Sequence, residues 1–144
     1  MTTPDQDPVS IDHVVLTVHD LDKVGDYYRR VVGLHDLRRD AGTLTLGAGG
    51  RTLLELRRDA AARPHTAREA GLFHTAFLLP TRADLGRWIA RAIEERTPVQ
   101  GLSDHIVSEA LYLSDPEGNG IEIYVDRPRE SWLWKDGEVN MTTD

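Results

Sequence analysis

Two histidines and two glutamates stand inside segments that are otherwise apolar. His13 interrupts Ile11–Val18, a run rich in β-branched residues, and His74 begins a comparable strand within Leu72–Leu79. Glu122 interrupts Gly120–Val125, and Glu55 interrupts Leu53–Leu56. Successive side chains of a strand point to opposite faces. If Ile121, Ile123 and Val125 face a core, Glu122 points away from it, where a carboxylate needs solvent or a partner. A lone histidine on an apolar strand is more often structural than a ligand, but two at matching positions are harder to dismiss. Two neutral imidazoles and one carboxylate form the facial set suited to non-haem Fe(II). One carboxylate leaves a divalent ion with a net positive charge and open positions for an anionic bidentate substrate and dioxygen. Glu55 as a fourth ligand would neutralise the site, close a position and favour the Lewis-acid chemistry of Zn or Ni. Glu55 therefore separates two chemistries.

The elements that must position these residues can be read along the chain. Alternation in Ile11–Val18 places Val14, Leu16 and Val18 on one face and His13, Val15 and Thr17 on the other. Asp20 is expected to cap a helix running to about Val32, with Gly33 as its stop. Three strands are predicted next, about Leu34–Arg39, Thr43–Gly47 and Thr52–Arg57, separated by glycine-bearing turns. The polar, arginine-rich stretch 58–71 reads as a connector. A second strand–helix unit follows, the helix opened by Thr81 and Asp84 and carried through Leu85, Trp88, Ile89, Ala92 and Ile93. Three more strands are predicted, near Pro98–Leu102, Ile106–Leu113 and Gly120–Val125, the last two joined by the turn-rich Asp115–Gly120.

The order strand–helix–three strands thus occurs twice, at about residues 10–57 and 72–126. Setting His13 over His74 aligns HVVLTVHDLDKVGDYYRRVV with HTAFLLPTRADLGRWIARAI by residue type rather than by letter, the mark of internal duplication. The expected fold is α+β: two βαβββ modules forming a curled mixed sheet around a metal-lined cleft. Residues 1–9 read as a disordered lead, 10–144 as a single domain and 127–144 as its tail.

Bulk composition narrows the function further. The 144 residues suit one compact domain, and 40% apolar content can build a core. The absence of cysteine excludes disulfides, thiolate metal sites and cysteine nucleophiles. A net charge of −7 argues against a nucleic-acid partner. No apolar run approaches membrane-spanning length, and the first ten residues lack the charge and apolar core of a signal peptide. A cytoplasmic location is the default expectation.

The stretch Ser103–Tyr124, SDHIVSEALYLSDPEGNGIEIY, carries a more specific message, as do Asp126-Arg127-Pro128 and the following Trp132 and Trp134. With the duplicated modules, it resembles the vicinal oxygen chelate superfamily, which includes glyoxalase I, fosfomycin-resistance proteins, bleomycin-resistance proteins and extradiol dioxygenases. The last third is similar to the catechol-2,3-dioxygenase-like branch. The resemblance implies metal ligation by His13, His74 and Glu122. It further implies that His105 handles protons around bound oxygen and substrate. Tyr112 would donate a hydrogen bond to a substrate or intermediate oxygen. Glu55 also matches the glyoxalase I pattern of two histidines and two glutamates.

Three functions follow as expectations. The first is an Fe(II)- or Mn(II)-dependent extradiol-type dioxygenase acting on a catechol-like vicinal diol. The second is a glyoxalase-like lyase or isomerase, or a fosfomycin-resistance-type transferase, using Zn or Ni. The third is a bleomycin-resistance-type binding protein. Small-molecule substrate, dioxygen and a second copy of the chain are the expected partners, since single modules of the family commonly pair. Among the remaining candidates, His19 and His35 read as exposed structural residues, and His65 as a loop residue. Tyr27, Tyr28 and Trp88 read as core. Trp132 and Trp134 are expected to pack on their own module, and Arg57–Arg68 to be a solvated loop.

Overall fold

A computed structural model describes residues 10–64, 66 and 70–141. The expected disordered lead over 1–9 lies outside the described residues, as does His65. The chain divides into two compact units, Met1–Arg63 and Pro64–Asp144.

Unit 1 contains β1 (Val14–Val18), α1 (Leu21–Tyr27), β2 (His35–Arg39), β3 (Thr43–Ala48) and β4 (Arg51–Arg58). The Asp20 carboxylate accepts from the backbone N–H groups of Asp22 and Lys23 at 3.1 and 3.0 Å, as its position before an apolar-periodic run implies. The helix does not stay α-helical to Val32: Tyr28–Val32 is a π-helical turn. Gly33 then takes φ 92°, open to glycine without steric cost, and its N–H closes the helix on the Tyr28 carbonyl. The strands lie in the order β1-β4-β3-β2, with β1 parallel to β4 and the other pairs antiparallel. Val24, Tyr28, Leu44, Leu46, Leu54 and Leu56 are wholly buried between α1 and this sheet. Burial on that scale contributes about 1.5–3 kcal/mol per large apolar side chain before the cost of ordering the chain.

Unit 2 repeats the plan with β5 (Thr75–Leu78), α2 (Arg82–Glu94), β6 (Gly101–Asp104), β7 (Ser108–Ser114) and β8 (Gly120–Asp126). The order is β5-β8-β7-β6, again with only the outer β5–β8 pair parallel. Thr81 caps α2, its hydroxyl accepting from Asp84 N at 3.2 Å. Leu85, Trp88 and Ala92 turn inward, whereas Ile93 is exposed. Ile121, Ile123 and Val125 form the core face of β8, so Glu122 lies on the opposite face, as alternation requires. A 3₁₀ turn (Arg129–Ser131) leads to a two-stranded hairpin of β9 (Trp134–Lys135) and β10 (Glu138–Val139), which the sequence pattern had not suggested.

Each unit is therefore a βαβββ module with its own four-stranded mixed sheet. Several boundaries differ from expectation. β1 and β5 begin just after His13 and His74, so both histidines stand at strand entrances. β4 runs through Arg57, where the expected strand ends, to Arg58, so the start of the arginine-rich stretch is strand rather than solvated loop. His105 and Ile106 fall in the β6–β7 turn because the Asp104 side chain accepts from Ile106 N and Ile106 adopts φ 66°, which ends both strands. His19 is half-buried, its Nε2 donating to the Ala62 carbonyl, while His35 is exposed as expected. Tyr28 and Trp88 are core residues and Tyr27 is half-buried. Trp132 packs on its own unit, donating from Nε1 to the Arg127 carbonyl at 2.9 Å with the Arg129 guanidinium over its ring. Trp134 stays more than half exposed.

Candidate metal centre

Strand register places the same pair of residue types in each unit. Ala76 pairs with Glu122 across β5–β8, and His74 stands two residues before Ala76. Val15 pairs with Glu55 across β1–β4, and His13 stands two residues before Val15. Each module therefore carries a histidine at the entrance of its first strand and a glutamate at the matching register of its last.

In unit 2 this arrangement brings the side chains together. His74 Nε2 lies 2.8 Å from Glu122 Oε2. Tyr112 pairs directly opposite Glu122 across β7–β8, and its hydroxyl donates to Glu122 Oε1 at 3.1 Å. His105 Nε2 stands 2.9 Å from that same hydroxyl. Since the tyrosine proton is committed to the carboxylate, the imidazole N–H donates and the phenol oxygen accepts. The result is a continuous chain, His105–Tyr112–Glu122–His74. Glu122 is only 12% exposed, and the chain satisfies both of its oxygens. Burial, then the hydrogen bond to and the charge of Glu122, push the Tyr112 hydroxyl above its ordinary pKa, so it remains a proton donor.

Gly120 makes the close approach of His74 feasible. A Cβ at that position would lie 2.2 Å from the Phe73 carbonyl and 3.2 Å from His74 Cα. Only glycine lets the 73–74 backbone come this near the start of β8. Beside the chain is a cavity of about 340 Å³ within unit 2, its walls including Leu72, Phe73, His74, Gln100, Tyr112 and Ser114. That volume is at the small end of small-molecule sites. Apolar side chains form one side, and Gln100 and Ser114, joined by a 2.9 Å hydrogen bond, form a polar edge.

Unit 1 is arranged differently. His13 Nδ1 lies 2.7 Å from Asp12 Oδ2, leaving Nε2 available as a donor atom. The Glu55 carboxylate takes a 2.6 Å hydrogen bond from Arg57 Nε, two residues along the same face. The residue opposite Glu55 on β3 is Thr45, too short to take the part that Tyr112 takes beside Glu122.

Among the described residues, no group of three or more acidic, histidine or cysteine side chains is gathered into a cluster able to hold a metal ion. Unit 2 does supply two donors that fit one. Donors about 2.1 Å from a common ion and at right angles to one another stand about 3 Å apart. The 2.8 Å separation of His74 Nε2 and Glu122 Oε2 is close to that value. The Nδ1 atom of His74 is buried with no hydrogen-bond partner among the described residues. Ligation through Nε2 moves the ring proton onto that atom. An imidazole nitrogen and a carboxylate oxygen suit Fe(II), Mn(II), Zn and Ni alike.

Asp104, Glu109 and Arg127, which surround the His105 turn, stand in the stretches that carry the resemblance, but the sequence assigns them no role. Charges interrupting two strands and beginning a tail were their available signal. Their mutual pairing is non-local and left no trace in periodicity. Gly120 reads in the sequence as the end of a turn and the start of a strand, with no sign of the close approach to His74.

The model of the glyoxalase/bleomycin resistance protein/dioxygenase superfamily matches residues 10–123. A catechol-2,3-dioxygenase of Bacillus subtilis is 43% identical over 92% of this chain. The chain spans about half of that relative, 47% of its length. Biphenyl-2,3-diol 1,2-dioxygenase 3 of Rhodococcus globerulus is 34% identical, covering 92% of this chain and 72% of that protein. In fold, a lactoylglutathione lyase from Agrobacterium tumefaciens aligns with a TM-score of 0.66 at 24% identity, covering 82% of this chain and 94% of that one.

Proposed function

Because the chain belongs to the glyoxalase/bleomycin resistance protein/dioxygenase superfamily, we propose that it is an extradiol-type ring-cleavage dioxygenase acting on a catechol-like vicinal diol. His13, His74 and Glu122 are the proposed ligands of a divalent metal, Fe(II) first and Mn(II), Zn or Ni as alternatives. The hydrogen-bonded chain His105–Tyr112–Glu122–His74 carries the reading. The relatives named catechol and biphenyl-diol dioxygenases support it. When bound, the ion supplies a Lewis-acidic centre on which two vicinal oxygens and dioxygen can be held together.

The protein's own groups then have separate tasks. Glu122 Oε2 and His74 Nε2 would hold the ion, while Glu122 Oε1 is held by Tyr112, which restrains the carboxylate. The Tyr112 hydroxyl, kept protonated by its surroundings, can give its proton to an oxygen that develops negative charge. His105 Nε2–H can refill it, since donor and phenol oxygen are already 2.9 Å apart. The cavity beside Tyr112 offers apolar walls to a ring and a polar edge to its substituents. A cytoplasmic location and a homodimer complete the reading. Among the described residues no helix is long and apolar enough to cross a membrane.

One observation favours a second reading, a glyoxalase-like lyase or isomerase with four protein ligands. Glu55 occupies the register position in unit 1 that Glu122 occupies in unit 2. Its ion pair with Arg57 favours the dioxygenase instead, because the carboxylate already has a cationic partner. The deciding experiment loads the protein anaerobically with Fe(II), then adds a panel of catechols and air. Oxygen uptake with a ring-opened product is expected, and no uptake across the panel would refute the proposal. Metal loss in Glu55→Gln, with metal binding and turnover intact in His105→Ala, would favour the lyase.

A further inference from the structure

His105 is held at the tip of the β6–β7 turn, and the grip comes largely from outside that hairpin. Its neighbour Ile106 adopts φ 66°, a left-handed conformation in which a β-branched residue is strained. Such a conformation persists only where the surroundings over-determine it. Three local bonds contribute: Ile106 N to Asp104 Oδ1 at 2.9 Å, His105 N to Ser108 O at 2.9 Å and Val107 N to His105 O at 2.7 Å.

The rest come from Arg127, just beyond β8. Its Nη1 and Nη2 donate in parallel to the two oxygens of Asp104, each at 2.7 Å. Nη1 also donates to the Ile106 carbonyl at 2.9 Å, and Nη2 to Glu109 Oε1 at 3.0 Å. The backbone N–H of Arg127 donates to the Val107 carbonyl at 2.7 Å. The second oxygen of Glu109 is taken by Arg82 Nε, at the start of α2, at 2.7 Å. Asp104 ends β6, Ile106 is the turn and Glu109 lies in β7, so one guanidinium grips the hairpin on both arms and at its tip. His105 itself receives no bond from this cluster.

We propose that Arg127, clamped on Asp104 and Glu109, is the positioning residue that sets His105 Nε2 against the Tyr112 hydroxyl. This rests on the reading of His105 as the proton-handling group of the site. The forked guanidinium is what the role needs: it holds both oxygens of Asp104, one of Glu109 and the Ile106 carbonyl at once, which the single ammonium of lysine cannot do. The arginine acts by geometry, through the turn, and not by contact with substrate.

The test uses the full-length chain and three variants, Arg127→Lys, Arg127→Met and Glu109→Gln. Imidazole ¹⁵N spectra of histidine-labelled protein read the tautomer and ordering of His105 directly. Parent protein should show one ordered His105 with its proton on Nε2, and both Arg127 variants a broadened or mixed signal. With Fe(II) and catechol, kcat should fall about tenfold or more while KM changes little, as for a misplaced proton donor. Glu109→Gln keeps the Asp104 fork and should give a smaller change of the same kind. It also carries the readout should the Arg127 variants not fold. A parent-like His105 spectrum in folded Arg127→Lys overturns the proposal, as does a raised KM with unchanged kcat. If the parent turns over no catechol, the functional reading falls while the spectra still decide the positioning role.

Discussion

At the scale of single residues, Tyr112 does two things through one oxygen. It accepts from His105 and donates to Glu122, so removing the hydroxyl breaks the chain without removing a proposed ligand. Tyr112→Phe should retain its bound metal and lose about 10²-fold in kcat, the usual worth of a positioned proton donor. Elemental analysis beside steady-state kinetics checks both halves. Loss of metal together with activity would mean that Tyr112 acts chiefly by orienting Glu122. Glu122→Gln should do the reverse: it removes the anionic donor and abolishes loading with Fe(II), measured by calorimetry, while Tyr112 and His105 keep their places. Much of this residue-level pattern was legible early. His13, His74, Glu122 and Glu55 stand out because each falls in a largely apolar segment, a conflict with local burial of the kind expected at functional positions. The partners of Glu122 were legible only through resemblance. Arg57 stands at the end of an expected strand and the start of an expected solvated stretch, and its hold on Glu55 is not legible from either.

At the scale of elements, strand entrances and turns do the positioning. β8 starts on a glycine so that β5 can enter with His74 pressed against it. Gly120→Ala would place a methyl 2.2 Å from the Phe73 carbonyl, and backbone cannot move aside as a side-chain tip can. An expected cost of about 1–3 kcal/mol follows from overpacking, read as a lower unfolding midpoint, and displacement of His74 should weaken metal binding beyond that cost. The turn clamp has a pH signature. Hydrogen bonds from Arg82, then Arg127, hold the Glu109 carboxyl below its ordinary value of 4.5. Asp104 is held below 3.8 by Arg127 and by the Ile106 N–H. A lowered folded-state pKa gives stability that is fully present above the ordinary value and lost as pH falls through the folded one. Thermal unfolding midpoints should therefore drop below about pH 4.5, and Glu109→Gln should flatten that acid limb. An equally steep limb in the variant would show that other carboxylates set it.

At the scale of the whole molecule, the chain is one module plan used twice with different furnishings. In unit 1 the register position opposite the glutamate holds a threonine, and the glutamate is paired to an arginine. In unit 2 the same position holds Tyr112, whose hydroxyl is hydrogen-bonded to both Glu122 and His105. The two units thus offer equivalent register positions that carry different neighbours. For a homodimer, light scattering should report about twice the 16.1 kDa chain mass, and a monomer at micromolar concentration would refute that part of the reading. The edge strand β2 is exposed throughout and carries Asp36, Arg38 and Arg39, charges that guard a sheet edge against open-ended pairing. Closed, two-fold association through another surface is the arrangement this favours.

The sequence alone determined the class of fold, the twofold βαβββ plan, the caps at Asp20 and Thr81 and the face on which Glu122 lies. All of these depend on local rules: a period of two in strands, helical spacing, and side chains that bond to backbone within a turn. It did not determine where β6 and β7 end, because that depends on Ile106 being forced into a left-handed conformation. Nor did it contain the clamp of Arg127 on Asp104 and Glu109, or the register that sets Tyr112 opposite Glu122. Those are contacts between residues distant in sequence, and register and side-chain pairing across strands exist only once the sheet has formed. His13, His74 and Glu122 could be named from their types and places. That Glu122 and His74 meet within a bond's length, with Tyr112 and His105 in line behind them, was decided by the tertiary structure.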